Sequence, residues 1–214
     1  GETGAVRYRA VNACILFMPM LEGKGVITVD RLRGPDGALH PVQQAMVDQH
    51  GSQCGFCTPG FVMSLYAMSR NADGAPDDQT IDELTSVLGS AAYLSERRPD
   101  LQRANDLLAG NLCRCTGYGP IIAAARAMGD APPPAWDVER RQREAALLGE
   151  IAHAETVALR HGARRFLSPV RLDDLARLAV ENSDAVIVGG ATDVGLWVTK
   201  QHRVLETLIH IGRV

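Results

Sequence analysis

The sequence predicts an α+β multidomain chain, in which a small all-helical domain precedes the start of an α/β domain. Three observations predict it. Apolar residues recur at helical spacing between Pro41 and Met128. A stiff run, Pro132-Pro133-Pro134, follows. From Arg164 onward, short apolar runs alternate with an amphipathic segment and a glycine turn. The 214 residues suffice for one large domain or two small ones. With 46% hydrophobic and 22% charged residues, 21 glycines and 11 prolines, the chain is globular material rich in turns. Its 22 Lys and Arg against 25 Asp and Glu leave a net charge of -3, which offers no general attraction to nucleic acid or to an anionic membrane. A mean hydropathy of -0.05, with no long uncharged apolar run, argues against a transmembrane helix. The sequence opens without Met and closes on the apolar residues Leu208, Ile209 and Ile211, so a piece of a longer protein is expected.

Taken in order, residues 8–20 surround Cys14 with apolar neighbours, and Val26-Ile27-Thr28-Val29 reads as a short strand. Gly34-Pro35-Asp36-Gly37 is a turn. Pro41 suits the first turn of a helix whose inner positions are Val42, Ala45 and Met46. Thr58 and Pro59 supply an N-cap and N1 pair for a second helix, with Phe61, Leu65 and Met68 along one face. Thr80-Ile81-Asp82-Glu83 has the capping-box pattern and opens a third, through Leu84, Val87, Leu88 and Ala91. A fourth runs from Leu101 to Leu108 and stops at Gly110, and Pro120 opens a fifth through Ile121, Ala124, Ala125 and Met128. The charged stretch from Asp137 to His153 reads as a solvated connector. Phe166-Leu167 then reads as a strand, Leu172, Leu175, Leu178 and Ala179 as a helix, and Ala185-Val186-Ile187-Val188 as a buried strand. Gly189-Gly190-Ala191-Thr192-Asp193 turns into a helix over Val194–Lys200, and Thr207–Ile211 is the last strand. A strand, a glycine turn and a helix can cradle an anion. The turn lacks the G-x-G-x-x-G fingerprint, and a purely structural role stays open.

The five cysteines decide the class of chemistry. Cys54 and Cys57, and Cys113 and Cys115, form two tight pairs, and Cys14 stands apart. Residues so close in sequence bridge each other poorly, because the Cα geometry of a disulfide is strained at that spacing. Neighbouring thiolates converge readily on a metal, so ligation is favoured over a disulfide framework. Zinc sites usually repeat C-x2-C or join it to histidine, whereas here C-x2-C is matched with C-x-C. Four thiolates also suit a [2Fe-2S] cluster, whose potential responds to backbone N–H groups near the sulfurs. Spacing alone favours iron–sulfur and leaves zinc open. Both pairs sit in turns that lead into helices, where free N–H groups favour an anionic centre. Neither a Ser-His-Asp arrangement nor paired carboxylates ask for another chemistry. His50 reads as a helix-end residue.

Three strings carry a resemblance: His40-Pro41-Val42-Gln43-Gln44-Ala45-Met46-Val47-Asp48, Gly51-Ser52-Gln53-Cys54-Gly55-Phe56-Cys57-Thr58-Pro59-Gly60 and Gly110-Asn111-Leu112-Cys113-Arg114-Cys115-Thr116-Gly117-Tyr118. They closely resemble the iron–sulfur/flavin subunits of the xanthine dehydrogenase type, within the molybdenum hydroxylase family. With the glycine turn, the resemblance runs over essentially the whole chain, and it lifts iron–sulfur over zinc. It implies residues 1–37 as the C-terminal part of a plant-type [2Fe-2S] ferredoxin domain of β-grasp fold, with Cys14 as the fourth ligand of its cluster. Residues 38–129 would be an all-α, four-helix-type [2Fe-2S] domain with Cys54, Cys57, Cys113 and Cys115 as ligands. A linker over 130–163 would lead to residues 164–214, the start of an FAD-binding domain of the vanillyl-alcohol-oxidase type, with Gly189, Gly190, Ala191, Thr192 and Asp193 around the pyrophosphate. Gln53 would face the molybdopterin of a partner large subunit.

The chain would then relay electrons from the molybdenum centre through two [2Fe-2S] clusters to FAD and NAD+, oxidising xanthine or hypoxanthine, and would hold no bond-making residue itself. The same subunit of a carbon monoxide, nicotinate or aldehyde dehydrogenase is the alternative within this class, and a non-catalytic zinc-stabilised interaction module the alternative outside it. Reduced, cluster-bearing cysteines point to the cytoplasm. The family usually connects the two cysteine pairs more briefly, so residues 71–103 are expected to hold an insertion with an extra helix.

Overall fold

Helix α1 (Pro41–Asp48) begins where the sequence places it, in a computed structural model that describes residues 6–71, 108, 110–128, 132–152 and 154–214. Pro41 sits at N1, where a missing N–H costs nothing. His40 caps the helix reciprocally: its Nδ1 accepts the Val42 N–H at 3.2 Å, and Gln43 Oε1 accepts the His40 N–H at 3.1 Å. The helix ends at a left-handed residue, His50, with φ 54°. Gly51 N–H returns to the Met46 carbonyl at 2.8 Å and His50 N–H to that of Val47 at 3.1 Å, the two bonds of a Schellman close. His50 is thus a helix-end residue, as its position suggested.

The chain divides into two compact units, one of Gly1–Ala10 with Ile27–Leu147 and one of Val11–Val26 with Leu148–Val214. In the first, α1 packs against α2 (Thr58–Asn71) and α3 (Gly119–Ala127). The reason is in the spacing. Val42, Ala45 and Met46 of α1, Phe61, Leu65 and Met68 of α2, and Ile121, Ala124 and Ala125 of α3 repeat every three or four residues and are all buried. Each large side chain taken out of water here contributes about 1.5–3 kcal/mol. The expected helices over residues 80–91 and 101–107 lie outside the described residues.

Helix α4 (Ala135–Ile151) corrects the expectation of a solvated connector. Asp137 and Arg140 are buried, at 1% and 4% exposure. The Arg70 guanidinium donates to Asp137 Oδ1 at 2.7 Å, and its Nε donates to the Tyr66 hydroxyl oxygen at 2.8 Å. His40 Nε2 lies 3.4 Å from Asp137 Oδ2. Because His40 Nδ1 accepts a backbone N–H, the neutral ring carries its proton on Nε2, facing the carboxylate. Arg140 donates to the carbonyls of Arg31 and Arg33 at 2.7 and 2.8 Å, with its guanidinium 4.7 Å from the Trp136 ring centre. Charged composition misled because each inward charge is fully partnered.

The second unit holds a four-stranded sheet in the order β1-β2-β4-β3. β1 (Val157–His161) and β2 (Arg164–Ser168) form an antiparallel hairpin across Gly162, whose φ of 59° suits the tight turn. β4 (Thr207–His210) lies parallel to β2 and to β3 (Val186–Val188). α5 (Leu172–Glu181) connects β2 to β3, and α6 (Val194–Thr199) connects β3 to β4. The core is Met20, Phe166, Val188 and Ala191, with Leu16, Phe17, Val186, Val194 and Leu208 packed against it. Strand β1 falls inside the stretch expected as linker.

The expected strand at residues 26–29 is absent: residues 26–28 are irregular and lead into a 3-10 turn over Val29–Leu32, closed by Arg31 N–H on the Thr28 carbonyl at 3.0 Å. Residues 1–37, expected as one ferredoxin tail, are shared between the units, with residues 11–26 packed into the second.

Candidate metal centre

The loop between α1 and α2 carries Cys54 and Cys57, and the loop entering α3 carries Cys113 and Cys115. α2 ties the loops together. Asn111 Nδ2 donates to Ser64 Oγ on α2 at 2.9 Å, and the Asn111 side chain sits so near Gly60 that a Cβ there would meet its Oδ1 at 3.3 Å. The Thr58 hydroxyl, expected to cap α2, donates instead to Ser52 Oγ at 2.7 Å and so braces the first cysteine loop.

These contacts bring sulfurs together in two pairs, each drawn from both loops. The Cys115 thiol donates to the Cys54 sulfur at 3.4 Å. Cys57 and Cys113 lie near enough that each sulfur shifts the other's thiol. Among the described residues, no group of three or more His, Cys, Asp or Glu side chains is gathered so as to hold a single metal ion.

The environments of the sulfurs differ. The Thr116 hydroxyl lies 3.2 Å from Cys113 Sγ, and with the Thr116 backbone N–H it pulls the thiol down to about 7. The Phe56 backbone N–H lowers the Cys54 thiol, with the Cys115 thiol adding to it. Burial, and then the contact with Cys113, pushes Cys57 up. Contact with Cys54 pushes Cys115 up. The shifts thus run in opposite directions across the two loops, down for Cys54 and Cys113 and up for Cys57 and Cys115.

The backbone is bent to allow this. Gly55, between the first two cysteines, has φ 83°, and a Cβ there would meet nothing within 4 Å. Gly117 and Tyr118 are both left-handed, at φ 67° and 69°. Tyr118 closes the second loop: its hydroxyl oxygen accepts the Cys113 N–H at 2.9 Å, its own N–H donates to Thr116 Oγ1 at 3.1 Å, and its ring meets Phe61 edge-on at 6.2 Å. Thr116, Tyr118, Asn111 and Ser64 were not singled out from sequence. The signal for Thr116 is its hydroxyl three residues beyond Cys113, within reach of that sulfur. Gln53 is exposed beside Cys54, and Phe56 and Leu112, at 94% and 83% exposure, flank the cysteines as exposed apolar side chains.

Cys14 belongs to the second unit and is exposed. Asn12 presents it: Asn12 Oδ1 accepts the Cys14 N–H at 3.0 Å and the Asn12 carbonyl accepts the Ile15 N–H at 3.3 Å. In the same unit, residues 189–193 leave the carboxyl end of β3, where open α/β sheets bind ligands. Gly189, Gly190, Thr192 and Asp193 are exposed, a Cβ at Gly189 would meet nothing within 4 Å, and Ala191 turns the chain at φ 60°. The turn is thus open to a ligand on its outer side, though the helix behind it has only 6 residues.

Residues 28–126 match the family model of a [2Fe-2S] binding domain. The chain is 41% identical to xanthine dehydrogenase of Oryza sativa subsp. japonica over 124 residues, 58% of this chain and 7% of that protein. It is 44% identical to xanthine dehydrogenase of Blastobotrys adeninivorans over 124 residues, again 58% and 7%. It is 40% identical to aldehyde oxidase of Homo sapiens over 124 residues, 58% and 8%. Each match therefore spans less than a tenth of the relative's length. A solved structure, quinoline 2-oxidoreductase from Pseudomonas putida 86, matches at 30% identity over 49% of this chain and 50% of that chain, with a TM-score of 0.31, a superposition that carries no argument about fold. Among the described residues, no helix is long and apolar enough to cross a membrane. Residues 28–126 are thus similar to [2Fe-2S] binding domains, and the matches to xanthine dehydrogenases and aldehyde oxidases run over 58% of this chain.

Proposed function

We propose that the chain is the electron-relay part of a molybdenum hydroxylase, with Cys54, Cys57, Cys113 and Cys115 holding one [2Fe-2S] cluster. The meeting of the two cysteine loops, where the Cys115 thiol donates to the Cys54 sulfur at 3.4 Å, is the observation that carries this reading. Cys14, presented by Asn12, is assigned as the fourth ligand of a second, ferredoxin-type cluster. Gly189, Gly190, Ala191, Thr192 and Asp193 are assigned to the FAD pyrophosphate, for which the open outer side of the turn leaves room. When bound, the clusters would supply one-electron carriers and FAD the exchange between one-electron and two-electron chemistry.

The chain's own residues have supporting tasks. Thr116 and the Phe56 N–H hold negative charge on Cys113 and Cys54, and Tyr118 fixes the second loop by accepting the Cys113 N–H. The packed α1–α2–α3 core excludes water behind the cysteines. Gln53 is assigned to face the molybdopterin of a partner large subunit, in a cytoplasmic complex that oxidises xanthine or hypoxanthine and delivers electrons to NAD+. The similarity to aldehyde oxidases favours a second reading, an aldehyde-oxidising complex with the same relay.

Metal and acid-labile sulfide analysis of the purified protein tests the relay. Iron and sulfide in equal amounts, with a rhombic EPR signal on reduction, are expected; zinc without sulfide would overturn the proposal in favour of an interaction module. Turnover of xanthine against aldehydes by the full complex separates the two substrate readings.

A further inference from the structure

We propose that Gly195 is a positioning residue which seats the Cys14 segment on the helix behind the glycine turn and so sets the spacing between the ferredoxin-type cluster and FAD. The inference rests on the assignments of Cys14 and of residues 189–193 made above. Its physical basis is a contact within the second unit. A Cβ on Gly195 would run into the Ile15 carbonyl oxygen and would stand 2.8 Å from Ile15 Cβ and 3.1 Å from its carbonyl carbon. Two of those three atoms are main chain, so no rotamer change relieves the overlap. Only glycine lets this segment lie directly on α6.

The contact chain is short. Cys14 precedes Ile15, Ile15 lies on Gly195, and the Gly195 N–H donates to the Ala191 carbonyl at 2.8 Å. Ala191 is the left-handed residue of the glycine turn. Leu16 and Phe17, next along the segment, pack against the cluster formed by Met20, Phe166, Val188 and Ala191. Gly195 is buried in the first turn of α6, where alanine is intrinsically the better helix former. A loss on Gly195→Ala therefore reports the docking and not the helix.

The test uses the full-length protein that carries this sequence, loaded with its cofactors. Gly195→Ala is compared with Gly149→Ala, a helical glycine whose Cβ would meet nothing within 4 Å. Phe17→Ala weakens the same docking from the other side. Two readouts are taken on samples matched for iron, sulfide and flavin content. One is the relaxation enhancement that the reduced ferredoxin-type cluster imposes on the flavin semiquinone in EPR. The other is hydrogen exchange at Met20 and Lys24, whose N–H groups are bonded inside the segment.

Gly195→Ala and Phe17→Ala are expected to lose the enhancement and to exchange about tenfold faster at those amides, with Gly149→Ala like the wild type. Unchanged enhancement in both variants would overturn the proposal. Should the wild type bind neither FAD nor a second cluster, the functional assignment fails. The exchange readout then decides the docking, and unaltered exchange overturns that as well.

Discussion

The Arg70 guanidinium donates to Asp137 Oδ1 across 2.7 Å, with both side chains almost wholly sheltered from water. The two lie 67 residues apart, on α2 and α4. A buried ion pair loses hydration on both sides, so it persists only where the remaining donors and acceptors are also met. Here they are. Arg70 also donates to Tyr66 and lies 5.5 and 5.0 Å from the ring centres of Tyr8 and Tyr66, while His40 Nε2 faces the second carboxylate oxygen. The pair fixes α4 against the helical core through charge, at a place where an apolar contact would have been indifferent to direction.

Asp137→Ala strands the Arg70 charge in an apolar setting and is expected to destabilise the first unit by about 3–5 kcal/mol. The double change Arg70→Met with Asp137→Leu removes both charges and restores most of the loss. Urea unfolding followed by circular dichroism measures both. Equal losses in the single and double variants would show that packing, not the stranded charge, is responsible.

Ligand assignment predicts a sharp division among the cysteines. Cys57→Ser and Cys115→Ser remove one sulfur from each pair, and either change abolishes the visible absorption and reduced EPR signal of the helical-domain cluster. Cys14→Ser leaves that signal intact and removes the signal of the other cluster. Iron content measured beside the spectra separates loss of a cluster from a change in its character.

Much of this was legible in the chain before any coordinates. Helices α1, α2 and α3 follow from Val42, Phe61 and Ile121 and their repeats, because burial of one face imposes a period that survives in sequence. The cysteine spacings pointed to two loops, which the structure brings together at Cys54 and Cys115. What stayed hidden had physical reasons. Asp137 and Arg140 carry charge, and charge reads as solvated unless the distant partner is known. Arg70, Arg31 and Arg33 are such partners. The 3-10 turn at Val29–Leu32 hid behind β-branched residues whose strand propensity holds only when another strand is there to pair. The meeting of Ile15 with Gly195 joins positions 180 apart in number, and a single small residue leaves no periodic trace.

Gly55 tests the backbone of the first cysteine loop. Its φ of 83° strains any L side chain by about 1–2 kcal/mol, although the space around it is open. Gly55→Ala is expected to lower the thermal stability of the loaded protein and slow its reconstitution with iron and sulfide. Gly55→Asn is expected to lose less, since asparagine tolerates the left-handed region better. Gly119→Ala, equally open but without positive φ, serves as the control in the same melting experiment.

His210 makes the second unit sensitive to acid. The ring is 3% exposed, stacks on Phe166 at 5.7 Å and lies 3.1 Å from Ser168 Oγ through Nδ1. Burial, and then the positive charges of Lys24 and Arg213, bring it down to about 4 from an ordinary 6.5. Above pH 6.5 the ring is neutral in both folded and unfolded chains, and the group adds no pH dependence. As pH falls below 6.5 the unfolded chain takes up a proton that the folded ring refuses, so stability drops until about pH 4, by roughly 3 kcal/mol. His210→Phe keeps the stacking and removes the titration. Urea midpoints at pH 7 and pH 4.5 are expected to converge for the variant relative to the wild type, and parallel pH profiles for the two proteins would show that the carboxylates, not this imidazole, govern the acid limb.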